Sequence, residues 1–249
     1  MSAKVLVSLL SEDQDFQVMQ AEDARETGRR LGMDVEVVFA ESHAVQQIQQ
    51  LFKAIHAPEG ERPAALVVEP AVGEGLERVA RNAVRAGIGW FLVNIRAGYV
   101  DELRRAHPKV PVTMVGTDQV EVGRIQGRQC RALLPDGGRV LSVQGPADST
   151  VTHQRSEGLL EVLGEDFEVR TLNGDWTSVS ADKAVMAWLR LTSAAAFQPD
   201  IVAAQNDLMG IGVRKAFTTN RPDWATVPYI GSDGLPAVSY THLTLPTNA

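Results

Sequence analysis

Carboxylates, amides, guanidinium groups and aromatic rings recur in this 249-residue chain just after short apolar runs. Phe16 follows the first run by way of Ser11-Glu12-Asp13-Gln14-Asp15. Glu69-Pro70 follows the third run and Asn94-Ile95-Arg96 the fourth. In the second half Gln144-Gly145-Pro146 leads towards Arg155. Asn173-Gly174-Asp175-Trp176, Gln205-Asn206-Asp207 and Gly231-Ser232-Asp233-Gly234 each close a later run. A carboxylate or amide can hold neighbouring hydroxyls through paired hydrogen bonds, and arginine donates in a rigid fork. An aromatic ring stacks on the apolar C–H face of a polyhydroxylated molecule and excludes water there. These residue types suit reversible binding of a small polar ligand.

Each residue also has a plainer reading. Asp207 could cap the helix that follows it. Glu69 could be a solvated loop acid, Trp176 a ring packed on its own half, Phe16 a core residue and Arg155 half of a surface ion pair. Their shared position after apolar runs favours the joint reading.

Other chemistries are poorly supplied. Gly73-Glu74-Gly75 lacks the third glycine of a dinucleotide fingerprint, and neither a P-loop nor a G-x-S-x-G elbow occurs. Ser149 and His153 are neighbours in sequence alone. His43, His56, His107 and His153 have no metal-ligand spacing. No catalytic residue, metal or cofactor is therefore expected. A net charge of −7 argues against nucleic acid as a partner, because phosphate binding needs a basic stripe. Cys130 is the only cysteine; it excludes an internal disulfide and reads as buried filler within a helix. No apolar stretch of about eighteen residues is present to embed the chain in a membrane. The run Val5–Leu10 is too short for a signal peptide, which implies a cytoplasmic protein if Met1 is the true start.

The elements that must position these residues alternate. Strands are expected at Val5–Leu10, Val35–Phe39, Ala64–Val68, Trp90–Val93, Val112–Val115, Val140–Val143, Val169–Leu172, Ile201–Ala204 and Val227–Ile230. Their brief apolar character suits strands covered on both faces. Helical patterns fill most gaps: Gln14–Leu31, Ala44–His56, Leu76–Ala86, Val120–Leu134, Gln154–Leu163, Ala181–Thr192 and Leu208–Thr218. Such alternation implies α/β architecture with parallel sheets. A helix, Leu-Gly and Asp-Val-Glu-Val in Ala21–Val38 are echoed by a helix, Leu-Gly and Asp-Phe-Glu-Val in Glu157–Val169. The echo suggests two similarly wound lobes, with Pro111–Asp118 carrying the chain between them. In open parallel sheets ligands sit beyond the carboxyl ends of strands, where the polar residues fall.

At these residues the chain resembles the type I periplasmic sugar-binding proteins of ABC importers, the ribose- and galactose-binding group, whose fold the lactose-repressor family shares. Ala204-Gln205-Asn206-Asp207-Leu208-Met209-Gly210 is similar to that family's A-Q-N-D-x-M-A pattern, and Gly231-Ser232-Asp233-Gly234 to its G-x-D-G. Arg155-Ser156-Glu157-Gly158 matches its R-x-x-G. Gly116-Thr117-Asp118 with Gly123 and Gly127 matches a further stretch. The resemblance implies two doubly wound parallel-sheet lobes, at 1–116 and 117–236, that close on a monosaccharide or polyol. It implies ligand contacts at Phe16, Arg155, Trp176, Asn206 and Asp233, with Trp176 in place of a usual Phe. Glu69 stands where ribose binders often have Asn, and either Asn94 or Ile95 aligns with their Asp, beside Arg96. A periplasmic or cell-envelope location, an ABC permease partner and a monomeric state are implied as well. A cytosolic sensor for a kinase or regulator is the alternative role, and a sugar-modifying enzyme a more distant one. No helix-turn-helix precedes the first strand, as a DNA-binding regulator would need.

After Pro236 the helical periodicity and charge stop. The segment 237–249 resembles translated adapter read-through, so a C-terminally truncated chain with an incomplete first lobe is expected. An uncovered apolar surface and an open sheet edge would follow from that.

Overall fold

The computed structural model describes residues 2–71, 74–191 and 196–235. The segment 237–249 lies outside them. Two compact units divide the chain, the first ending at Thr117 and the second beginning at Asp118.

In the first unit β1 (Lys4–Leu9), β2 (Asp34–Phe39), β3 (Ala65–Val68), β4 (Gly89–Val93) and β5 (Val112–Val115) form a five-stranded parallel sheet in the order β2-β1-β3-β4-β5. Alternate residues of the strands face opposite sides. Leu6, Leu66, Val68, Trp90 and Leu92 pack on one side with Leu51 and Ile55 of α2 (Ala44–Ile55). The same layer takes Val79, Ala83 and Val84 of α3 (Glu77–Arg85) and Val100 and Leu103 of α4 (Tyr99–Ala106). Val7 and Leu9 pack on the other side with Ala21 of α1 (Asp15–Leu31).

In the second unit β6 (Gly138–Gln144), β7 (Phe167–Asn173), β8 (Ile201–Ala204) and β9 (Tyr229–Ile230) form a four-stranded parallel sheet in the order β7-β6-β8-β9. Its two faces are both covered. Val140, Ile201 and Ala203 meet Cys130 of α5 (Gln119–Leu133) and Leu159 and Leu163 of α6 (Thr150–Leu163). Leu141, Val143, Val202 and Ala204 meet Val185 and Trp188 of α7 (Ser178–Leu189) and Val213 and Phe217 of α8 (Asp207–Asn220).

All nine expected strands are present among the described residues. Beyond small shifts at their ends, they differ from expectation at the sheet edges: β2, β5 and β7 are not buried throughout, and Val115 of β5 is 66% exposed. Asp34 and Glu36, like Glu168 and Arg170, alternate outward on half-exposed strands. The internal echo has a structural basis, because β2 and β7 are the equivalent edge strands of the two sheets. Each is reached through a glycine in the left-handed region, Gly32 at φ 66° and Gly164 at φ 62°, which lets the preceding helix end. One helix, α4, was not expected.

The α5–α6 seam is unusually close. A Cβ built on Gly123 would lie 2.8 Å from the carbonyl carbon of Arg155, and one on Gly158 would lie 2.8 Å from the amide nitrogen of Arg124. Both obstacles are backbone. The seam opens at Asp118, whose side chain accepts a hydrogen bond from Glu121 N at 3.1 Å and caps α5. Asp118→Ala is expected to lower stability by about 1 kcal/mol, read as an earlier urea midpoint; an unchanged midpoint would show that the cap contributes nothing.

Candidate functional site

The described polar residues gather into one group in each unit. In the first, Glu69 follows β3 directly. Its amide nitrogen donates to Ser8 O at 2.9 Å, and its carbonyl accepts from Gln47 Nε2 at 2.7 Å. The backbone is therefore fixed on both sides. Its carboxylate oxygen Oε2 accepts from Gln17 Nε2 and from Asn94 Nδ2, each at 2.8 Å. Burial pushes this carboxyl up to about 7, against the opposing pull of the two amides, and no ionised side chain acts on it among the described residues. Glu69 is thus a clamped, desolvated acid that keeps partial exposure.

Asn94 reaches Glu69 from a left-handed backbone, φ 65°. Phe16 lies on the first turn of α1 and is 39% exposed, so it is not a core residue. Arg96 is exposed, and the structure does not draw it into the Glu69 group.

In the second unit Arg155 is the centre. Its Nε donates to Gln119 Oε1 at 2.8 Å and its Nη1 to the carbonyl of Gln205. The guanidinium carbon lies 5.7 Å from the centroid of the Trp176 ring, within range of a cation–π attraction. Burial pushes the guanidinium below its ordinary value, while Asp233 pulls it up. This is a held, partly desolvated cation and not a surface ion pair. Trp176 has φ 71° and its ring lies over Gly145, where any Cβ would strike it.

Asn206 caps α8. Its Oδ1 accepts from Met209 N at 2.9 Å, and its Nδ2 donates to Trp176 O at 2.9 Å. The capping role considered for Asp207 thus belongs to Asn206. The carboxylate of Asp207 instead accepts from Leu235 N at 2.9 Å and holds the Gly231–Gly234 loop. Asp233, in that loop at φ 99°, is exposed as a residue. Its carboxyl is nevertheless pushed up to about 6 by burial, opposed by Arg155 and assisted by Asp207.

Three glutamines that orient these groups, Gln17, Gln47 and Gln119, escaped the sequence reading, and Gln205 was read there only as one of the polar residues after a strand. Gln17 and Gln47 are buried on α1 and α2 and brace Glu69. Gln119 and Gln205 brace Arg155; the buried Gln205 side chain accepts from Gly145 N at 3.1 Å and donates to Thr152 O at 3.0 Å. A signal existed for two of them. Gln17 shares a helical stripe with Ala21 and Gly28, and Gln47 with Leu51 and Ile55. A polar side chain on an apolar stripe must be paired once buried.

Among the described residues no group of histidine, cysteine or acidic side chains is placed to hold a metal ion, and no helix is long and apolar enough to cross a membrane. The arrangement offers a fork of donors beside a ring and a carboxylate in one unit. It offers a clamped acid with amides in the other.

The family model for the periplasmic binding protein domain matches residues 5–240. A xylitol-binding protein from Mycolicibacterium smegmatis is 26% identical over 171 residues, 69% of this chain and 46% of that protein. A putative rhizopine-binding protein from Rhizobium meliloti is 24% identical over 190 residues, 74% of this chain and 57% of that protein. The chain therefore spans about half the length of the curated relatives it matches. In structure it is similar to the periplasmic binding component of the arabinose ABC transporter from Shewanella sp. ANA-3, with a TM-score of 0.80 at 20% identity, covering 94% of this chain and 75% of the other. The matched span, the two parallel sheets and the polar residues at the strand ends lead to one conclusion: the chain belongs to the periplasmic binding protein family, with the type I fold.

Proposed function

We propose that this protein reversibly binds a small polar ligand, a monosaccharide or polyol, without transforming it, as the substrate-binding component of an ABC importer in the periplasm or cell envelope. The observation that carries this reading is Arg155. A cation partly withdrawn from water, braced by Gln119 and Gln205 and laid near the Trp176 ring, is a costly arrangement for a surface side chain. It becomes favourable when ligand hydroxyls accept its remaining donors and a ligand face stacks on the ring. The relatives that bear xylitol and rhizopine in their names support the ligand class, and the permease partner follows from the family.

A thermal-shift panel of monosaccharides and polyols tests it. A ligand at about one hundred times its Kd stabilises the folded state by about 2.7 kcal/mol, which moves the melting temperature of a chain this size by roughly 5–11 °C. Arg155→Met should abolish the shift. A panel with no stabilising member would contradict the proposal.

A further inference from the structure

We infer that Glu69, clamped by Gln17 and Asn94, selects ligands bearing an ammonium group, so that the preferred ligand class is an amino-substituted sugar or polyol. This deepens the binding function proposed above and rests on it. The observation is a carboxylate where an amide would make the same two bonds. Gln17 and Asn94 are both neutral donors and both address Oε2. A glutamine at position 69 would satisfy them through its own oxygen and place no charge out of water. A carboxylate supplies what an amide lacks, an attraction for positive charge.

Among the described residues no cationic side chain acts on Glu69. The side chains that reach Glu69 from the elements around it are Gln17 of α1, Gln47 of α2 and Asn94 after β4, all neutral amides. Arg96, two residues beyond Asn94, exerts no pull on it. The other carboxylate oxygen, Oε1, has no hydrogen-bond partner among the described residues, and Glu69 keeps partial exposure. A ligand ammonium group at Oε1 would form a charge-assisted hydrogen bond in a desolvated place. A ligand carboxylate or phosphate would be repelled there. The Asn94 amide nitrogen donates to Val115 O at 2.9 Å, which anchors the backbone from which the clamp reaches Glu69. The raised carboxyl value agrees with this picture: an arriving ammonium group favours the ionised form and releases a proton.

Isothermal calorimetry on the 249-residue chain decides the matter, with D-glucosamine, D-galactosamine and an aminocyclitol compared with D-glucose, D-galactose and myo-inositol at pH 5.5 and 7.5. At pH 7.5 the best amine should bind at least about tenfold tighter than its neutral counterpart. That ratio should shrink at least about tenfold at pH 5.5, where Glu69 is protonated. Asp233 titrates in the same window, so the amine-to-neutral ratio is the readout, since a change common to both ligands cancels. Glu69→Gln should collapse the ratio at both pH values. A ratio at or below one, or one that moves neither with pH nor with the substitution, overturns the inference. Neutral sugars binding where amines do not would overturn it and leave the proposed function standing. Silence of all six probes would overturn both. The pH dependence of the unaltered protein decides the question even if E69Q fails to fold.

Discussion

Gly158→Ala is expected to melt roughly 6–12 °C below the unaltered protein, a loss of about 3 kcal/mol. On an isolated helix the same change would stabilise by about 1 kcal/mol, because alanine loses less conformational freedom. The sign reverses here because the new methyl group would enter the backbone of Val120 and Arg124 on α5. A flexible side chain could swing aside, but a helical backbone cannot, so the two helices must separate. Separation also moves Arg155, one turn earlier on α6, and Gly123 meets the backbone of that same residue. Ligand affinity should therefore fall together with stability. Gly60→Ala is the control, since a Cβ there meets nothing within 4 Å; its effect should stay within about 0.5 kcal/mol. Differential scanning calorimetry of both variants is sufficient. If G158A melts within two or three degrees of the unaltered chain, the seam tolerates a methyl group and the close-packing account is wrong.

Glu69→Gln should make the ligand-free protein more stable at pH 8 by about 2 kcal/mol and leave it little changed at pH 4. The folded carboxyl titrates at about 7, above its ordinary 4.5. Between those values the folded chain retains a proton that the unfolded chain has released, so unfolding becomes easier as pH rises through this window and then levels off. Below 4.5 both states are protonated and the penalty is absent. Acids held below their ordinary values, such as Asp200 beside Arg139, produce the opposite slope. The difference between variant and parent therefore isolates Glu69. Urea unfolding at the two pH values measures it, and an equal difference at both would show that no proton is linked to this residue.

The sheets were legible because buried parallel strands are short apolar runs that end abruptly in polar residues. Helix boundaries were less so. α6 begins at Thr150 and not Gln154, because Ser149 caps it by accepting from Thr152 N; α7 begins at Ser178 behind Thr177 in the same way. Hydroxyl caps extend helices into stretches that lack apolar periodicity. Tyr99–Ala106 was missed as a helix because five of its eight residues are charged or alanine, leaving only Tyr99, Val100 and Leu103 to mark its buried face. Around Glu69 and Arg155, the sequence marked the polar groups that follow the strands, although Arg96 does not join the Glu69 group. It did not mark Gln17, Gln47 and Gln119, since a brace is defined by what it reaches across space and Gln17 and Glu69 are 52 positions apart.

Among the described residues five other than glycine have a left-handed backbone, and Asn94, Trp176 and Asp233 are three of them. Such conformations are strained by roughly 1–2 kcal/mol for a residue with a side chain, and glycine would relax each. A lineage selected for heat tolerance would find easy gains at these positions. Each gain would remove an amide, an indole or a carboxylate from the end of a strand. Under the proposed function, selection for durability and selection for recognition would compete at the same three residues.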